Sequence, residues 1–136
     1  MKDYVYYPGC SLKGNSKHYE ESILPVFREL GLPLEELEDW NCCGATAYFS
    51  VDDLMATAIC GRNLSLAEKK QKNIIAPCAG CYLTLKKANK VLQGNSDKAR
   101  KIHQALEKAG CPYQGRIEVK QPLEVLIEDI GLDRIK

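Results

Sequence analysis

The chain has 136 residues, 45% of them hydrophobic, a formal net charge of +1 and seven cysteines. That length suits one domain, residues 1–136, with a core large enough to fold without disulfides. The balanced charge argues against nucleic acid or an anionic membrane surface as a partner, and no apolar run approaches the roughly 20 residues of a membrane span.

The first residues, Met1-Lys2-Asp3-Tyr4-Val5, run straight into strand-like sequence and do not read as a signal peptide, which points to a cytoplasmic protein. Asp3 to Tyr7 is β-branched and aromatic, and Pro8-Gly9 ends it, so a first strand is expected with Cys10 just past its end. A polar loop, Ser11 to Asn15, leads to a helix from about Ser16 to Leu30. Tyr19, Ile23, Val26, Phe27 and Leu30 carry its apolar period, Pro25 predicts a kink and Gly31 is the stop. Leu34 to Trp40 suggests a second strand, with a turn of helix as the rival reading, and Cys42-Cys43-Gly44 follows it.

Ser50-Val51-Asp52-Asp53 has the form of an acidic capping box. Val51, Leu54, Met55, Ala58, Ile59 and Leu66 supply the apolar face of the helix that follows, and Lys69, Lys70 and Lys72 suit its C-terminal dipole. Asn73-Ile74-Ile75-Ala76 is a third strand, followed by Pro77-Cys78. A helix from Cys81 to Leu92 ends at Gly94, and Ser96 caps another that runs through Ala109. Arg116 to Lys120 alternates as a fourth strand, and Pro122 opens a last helix that Gly131 ends. The order β-α-β-α-β-α-α-β-α predicts an α/β fold: a mainly parallel sheet of about four strands with helices on both faces, Rossmann-like.

Five cysteines are spaced as Cys10, 31 residues, Cys42-Cys43, 34 residues, Cys78-Ala79-Gly80-Cys81. The count of seven is odd, so a complete disulfide framework leaves one over. Clustered thiols in a reducing compartment mean metal or redox chemistry more often than structural bridges. Each group of the five falls after a predicted strand, and in a parallel sheet those ends share one edge, where open α/β folds build their sites. Gly9, Gly44 and Gly80 flank them and allow close approach of backbone to a bulky core. The Cys78–Cys81 pair opens a helix, where free peptide N–H groups favour thiolates.

Structural zinc takes four ligands in a tetrahedron. Five thiols are one too many, and adjacent cysteines on an extended chain point apart, which suits several irons better than one ion. A cubane also takes four cysteines, so the fifth implies an unusual cluster or a spare reactive thiol. An iron–sulfur site, a zinc site and a dithiol couple at Cys78 and Cys81 all stay open on the residues alone. Cys60 reads as a buried small hydrophobe and Cys111 as a turn residue remote from the five. His18 and His103 read as surface residues and Lys69 to Lys72 as a solvated helix end, while Lys86, Lys87 and Lys90 offer an alternative as a docking face for an acidic partner.

The five-cysteine pattern, with the flanking Tyr7-Pro8-Gly9 and Ala76-Pro77, resembles the cysteine-rich CCG domain found in the B-type subunit of heterodisulfide reductase. Related domains occur in succinate dehydrogenase-like, thiol:fumarate reductase and glycolate or lactate oxidase iron–sulfur subunits. The resemblance covers nearly the whole chain. It implies that Cys10, Cys42, Cys43, Cys78 and Cys81 ligate a noncubane 4Fe-4S cluster and act catalytically through it, with zinc as the alternative occupant. It also implies an oxidoreductase that cleaves a mixed disulfide of the coenzyme M–coenzyme B type, as in methanogenesis. The implied partners are an iron–sulfur C-type subunit, a flavin A-type subunit and a second CCG domain. Two departures stand out: B-type subunits are about twice this length with two CCG motifs, and Gln121 stands where a histidine often follows the last strand.

Overall fold

The computed structural model describes residues 3–44 and 51–135. Its centre is β1 (Tyr4–Tyr6), flanked by β2 (Glu35–Glu36) on one side and by β3 (Asn73–Ile75) on the other, with β4 (Val119–Lys120) beyond β3. All pairs are parallel, with Val5 opposite both Glu35 and Ile74, and Ile74 opposite Val119. The α/β fold with four parallel strands is the one expected.

Side-chain alternation along each strand divides the core in two. Val5, Ile74 and Val119 face α3 (Asp53–Lys69), α4 (Ala79–Gln93) and α5 (Asp97–Lys108), where Leu64, Leu85, Ile102 and Leu106 are buried. Tyr4, Tyr6 and Ile75 face α1 (Gly9–Lys13), α2 (Lys17–Glu29) and the C-terminal segment, meeting Leu12, Ile23, Phe27 and Val125. Connections that run in opposite directions across a parallel sheet put their helices on opposite faces. Each fully buried aliphatic or aromatic side chain contributes about 1.5–3 kcal/mol, which lets strands of two and three residues hold a sheet.

Several elements differ from expectation, each for a local reason. The loop expected at Ser11–Asn15 gives way to α1, because a helical turn buries Leu12 while Lys13 reaches Glu20 and Glu36. Only Glu35–Glu36 of the expected second strand pairs; after Leu37 N–H bonds Tyr6 O, Asp39 at φ 61 turns the chain away. The fourth strand is shortened because side chains take its early backbone groups: Glu68 accepts from Arg116 N–H, Asn73 from Glu118 N–H, and Asn89 donates to Ile117 O. Pro25 lies inside α2, on its exposed side. Ser50 lies outside the described residues; Asp52 caps α3, accepting from Met55 N–H at 3.0 Å. Ser96 caps α5 as expected.

The last helix begins at Pro122 within a capping box made by Gln121 and Glu124. It then widens into a π-helical turn over Val125–Ile130, ends at Gly131, and a short helix not anticipated from the sequence follows at Leu132–Ile135. Glu128 and Asp129 on that turn both pair with Lys120, and Tyr4 Oη donates to Asp129. His103 is half-buried and bonds Leu92 O at 2.9 Å, so it is more than the surface residue expected.

Tyr4, Tyr6 and Tyr113 donate from inside the fold to Asp129, Glu20 and Asn89. Burial first, with nearby carboxylates adding to it, holds all three phenols well above their ordinary value near 10. They therefore stay protonated in the folded protein at pH values where the unfolded chain ionises, and the stability they contribute is present below about pH 10 and falls above it. The buried Cys60 and Cys81 thiols, also held above their ordinary value, start a decline about a unit lower, so urea midpoints are expected to fall from about pH 8–9 and more steeply between about pH 10 and 11 as the phenols join. A midpoint that stays constant through that window contradicts this account.

Candidate metal centre

The order β2-β1-β3-β4 reverses direction between β1 and β3, which makes the crevice beyond their C-terminal ends the topological switch point. β1 leads through Tyr7, Pro8 and Gly9 to Cys10 on α1, and β3 leads through Ala76 and Pro77 to Cys78, the N-cap of α4. The segment after β2 brings Cys42 and Cys43 to the same edge. Cys81 lies in the first turn of α4, beyond Ala79 and Gly80. All five predicted cysteines therefore gather at this edge of the sheet.

Their sulfurs form two neighbouring sets. Cys43 Sγ lies 3.3 Å from Cys81 Sγ, and Cys78 lies against Cys81. Cys42 lies against Cys10. Cys10 and Cys42 are exposed, Cys78 is half-buried, and Cys43 and Cys81 are buried. The adjacent pair thus divides between solvent and core, as alternation along an extended chain demands. Among the described residues, no three His, Cys, Asp or Glu side chains surround one point in the manner of a single bound ion.

Gly9 shows how closely the two strand ends meet. Its φ is +70, and a Cβ built there falls 2.6 Å from Cys81 Sγ. A side chain there is strained by the left-handed backbone and has to displace the sulfur. Gly44, at φ +71, turns the chain after Cys43, and its N–H points to Cys42 Sγ at 3.4 Å. That N–H pulls the Cys42 thiol down, but burial and the Cys10 and Cys43 sulfurs outweigh it, and the thiol ends above its ordinary value. Contact with Cys43, then burial, pushes Cys81 strongly up.

Several contacts at the site were not visible in the sequence. Tyr7, fully buried, donates to Asn41 O at 2.6 Å and stacks edge-on against Trp40 with ring centroids 5.4 Å apart. Asn63 on α3 bonds both the N–H and the C=O of Asn41, at 3.0 and 2.9 Å. Arg62 reaches Asp39 and the Asn41 side chain. Cys60, buried as expected, donates to Cys43 O at 3.1 Å, and Cys111 is buried away from the five sulfurs. The signal for Asn63 was a polar residue in register with the buried face of its helix, one turn after Cys60. A half-open, mostly apolar cavity of about 440 Å³ borders Cys42, lined by Asn41, Gly44, Ile59 and Arg62.

The family described as CCG, cysteine-rich domain, matches residues 4–86. The chain is 35% identical over 131 residues to the 8-methylmenaquinol:fumarate reductase membrane anchor subunit of Wolinella succinogenes, covering 96% of this chain and 45% of that protein. It is 31% identical over 137 residues to a protein of Archaeoglobus profundus that is like the B-type subunit of heterodisulfide reductase, covering 100% and 46%. It is 27% identical over 129 residues to the B-type subunit of the ferredoxin/F420H2-dependent CoB-CoM heterodisulfide reductase of Methanosarcina acetivorans, covering 94% and 43%. The chain thus spans less than half the length of these relatives.

Replacing Gly9 by alanine is expected to lower the unfolding free energy by about 1–3 kcal/mol, from the left-handed φ alone, and to displace the Cys81 sulfur. Urea denaturation together with site-resolved alkylation of Cys81 checks this. An alanine variant as stable as the parent, with Cys81 equally protected, refutes the close packing described.

Proposed function

We propose, because this chain belongs to the CCG cysteine-rich domain family, that Cys10, Cys42, Cys43, Cys78 and Cys81 hold an iron–sulfur cluster in a heterodisulfide reductase-like oxidoreductase. The observation that carries this reading is the convergence of five thiols from three strand ends on the β1/β3 switch point.

The donor set fits such a group. All five donors are soft thiolates, the preferred ligands of iron–sulfur cores. They lie in two sets rather than about one point, which favours a many-atom core of the noncubane 4Fe-4S type over a single tetrahedral zinc. Cys78 caps α4, whose first peptide N–H groups are free to stabilise sulfur charge. Without metal, contact and burial keep the Cys81 thiol protonated at neutral pH; ligation therefore releases protons and is favoured as pH rises.

When bound, the cluster supplies electron transfer. The chain's own residues do the rest. Cys43 and Cys81 stand on the core side, screened from water by Tyr7 and Cys60, while Cys42 opens toward the apolar cavity beside Ile59. A small disulfide approaching from that side takes up two electrons and two protons and leaves as two thiols. The electrons come from partner subunits of the iron–sulfur C-type and flavin A-type.

The whole of residues 1–136 reads as one domain, since both cores share the one sheet. One CCG motif in a chain under half the length of its relatives fits a module that works beside a second CCG domain. Among the described residues no helix is long and apolar enough to cross a membrane, and seven free cysteines suit a reducing cytoplasmic compartment.

Anaerobic preparation with iron, sulfide and zinc analysis tests the reading. About four irons with matching sulfide per chain are expected. Cys43→Ser is expected to lose most of them, whereas Cys111→Ser keeps them. One zinc without sulfide, or unchanged iron in Cys43→Ser, overturns the assignment.

A further inference from the structure

The backbone on both sides of the Cys42–Cys43 pair is gripped by one face of α3. Asn63 accepts from Asn41 N–H at 3.0 Å and donates to Asn41 O at 2.9 Å, the reciprocal pairing that a neighbouring strand would otherwise make. One helical turn earlier, Cys60 donates to Cys43 O at 3.1 Å. Both side chains are fully buried. Tyr7 Oη donates to the same Asn41 carbonyl from the sheet side at 2.6 Å.

We propose that Asn63 and Cys60 are positioning residues that set the aim of the two adjacent sulfurs, sending Cys43 inward to Cys81 and Cys42 outward to Cys10. The inference rests on the reading of Cys42 and Cys43 as ligands, but the contacts that carry it do not depend on what those sulfurs hold.

The geometric reason is the small number of free torsions. Peptide units are planar, so between the Asn41 and Cys43 carbonyls the only soft angles are the φ and ψ of Cys42 and Cys43. Pinning Asn41 at both of its polar groups and Cys43 at its carbonyl leaves those angles almost no range. Gly44 then turns the chain away at φ +71. A slip by one residue sends each sulfur to the opposite side, so a site that needs one inward and one outward thiol needs this grip on the backbone.

The chemistry of the two side chains fits the role. An amide offers a donor and an acceptor side by side on one planar head, which is what a single residue's N–H and C=O require together. Cys60, fully buried, directs its S–H at the Cys43 carbonyl, so a small donor stands where the loop leaves a peptide oxygen without a strand partner. The alternative is that both residues merely satisfy buried peptide groups, in which case their loss weakens the whole fold evenly.

The test uses metal-free protein held reduced, with alkylation rates read cysteine by cysteine by mass spectrometry, and iron-loaded protein read by electron paramagnetic resonance and midpoint potential. Asn63→Ala and Cys60→Ala are expected to speed labelling of Cys43 by roughly tenfold or more, the loss of one or two net hydrogen bonds. Cys111, buried elsewhere, is expected to keep its rate. Cys60→Ser retains a hydroxyl donor and is expected to restore Cys43 protection. In the loaded protein the two alanine variants are expected to keep their iron but shift the spectrum and potential, and Cys60→Ser to stay close to the parent.

Equal acceleration of Cys43 and Cys111 in both alanine variants shows a global effect and overturns the proposal. So does an unchanged Cys43 rate. Loss of iron in both Cys60→Ala and Cys60→Ser makes Cys60 a ligand, which overturns its role as a donor. If the parent binds no iron at all, the cluster reading fails, and the labelling rates still decide whether α3 aims the pair.

Discussion

The parallel pairing of β1 with β3 is the contact on which the rest depends. It sets Tyr4, Val5 and Tyr6 opposite Asn73, Ile74 and Ile75, and Tyr7 N–H extends the ladder to Ile75 O. From those ends the chain is steered closely, because Pro8 and Pro77 fix the exits and Gly9 admits the Cys81 sulfur where a side chain would have to displace it. The sheet is thin, and both outer strands have only two residues. The central pair is what brings Cys10 and Cys78 to one crevice, and every other part of the site is hung from it.

Much of this was legible from punctuation. Pro8-Gly9 and Ala76-Pro77 mark the ends of two apolar runs, and the parallel sheet follows from the alternation of strands with helices. The cysteines then fall where such a sheet puts its sites. What was not legible were the places where side chains replace backbone. The fourth strand looked longer because nothing in Arg116-Ile117-Glu118 announces that Glu68, Asn73 and Asn89 will take its peptide groups. The turn at Leu12 looked polar because one leucine carries its burial. The π-helical turn at Val125–Ile130 was hidden because its pairing with Lys120 spans elements.

The cysteine pair shows the same limit on a smaller scale. That its two sulfurs point apart follows from chain geometry, and the structure gives that divergence a direction: one thiol in the core, one at the surface. Which way round they lie is decided by Tyr7, Cys60 and Asn63, residues scattered over the sheet and one helix. Asn63 is the instructive one. A buried amide in an apolar helix face reads as a flaw in the pattern, and it is instead the partner of a loop that no strand accompanies.

The β1–β3 register also orders events in time. Its two halves lie half a chain length apart, and loop closure on that scale precedes any reward from contact. While the chain is being synthesised, Cys10 and the Cys42–Cys43 pair emerge well before Ile75, and until β3 docks they are loose thiols on an unfinished sheet. The crevice comes into being in one late step, and it takes Cys78 and Cys81 with it, because they follow β3 directly. A nascent chain therefore has no half-built crevice: Cys10, Cys42 and Cys43 meet Cys78 and Cys81 only once β3 has paired with β1.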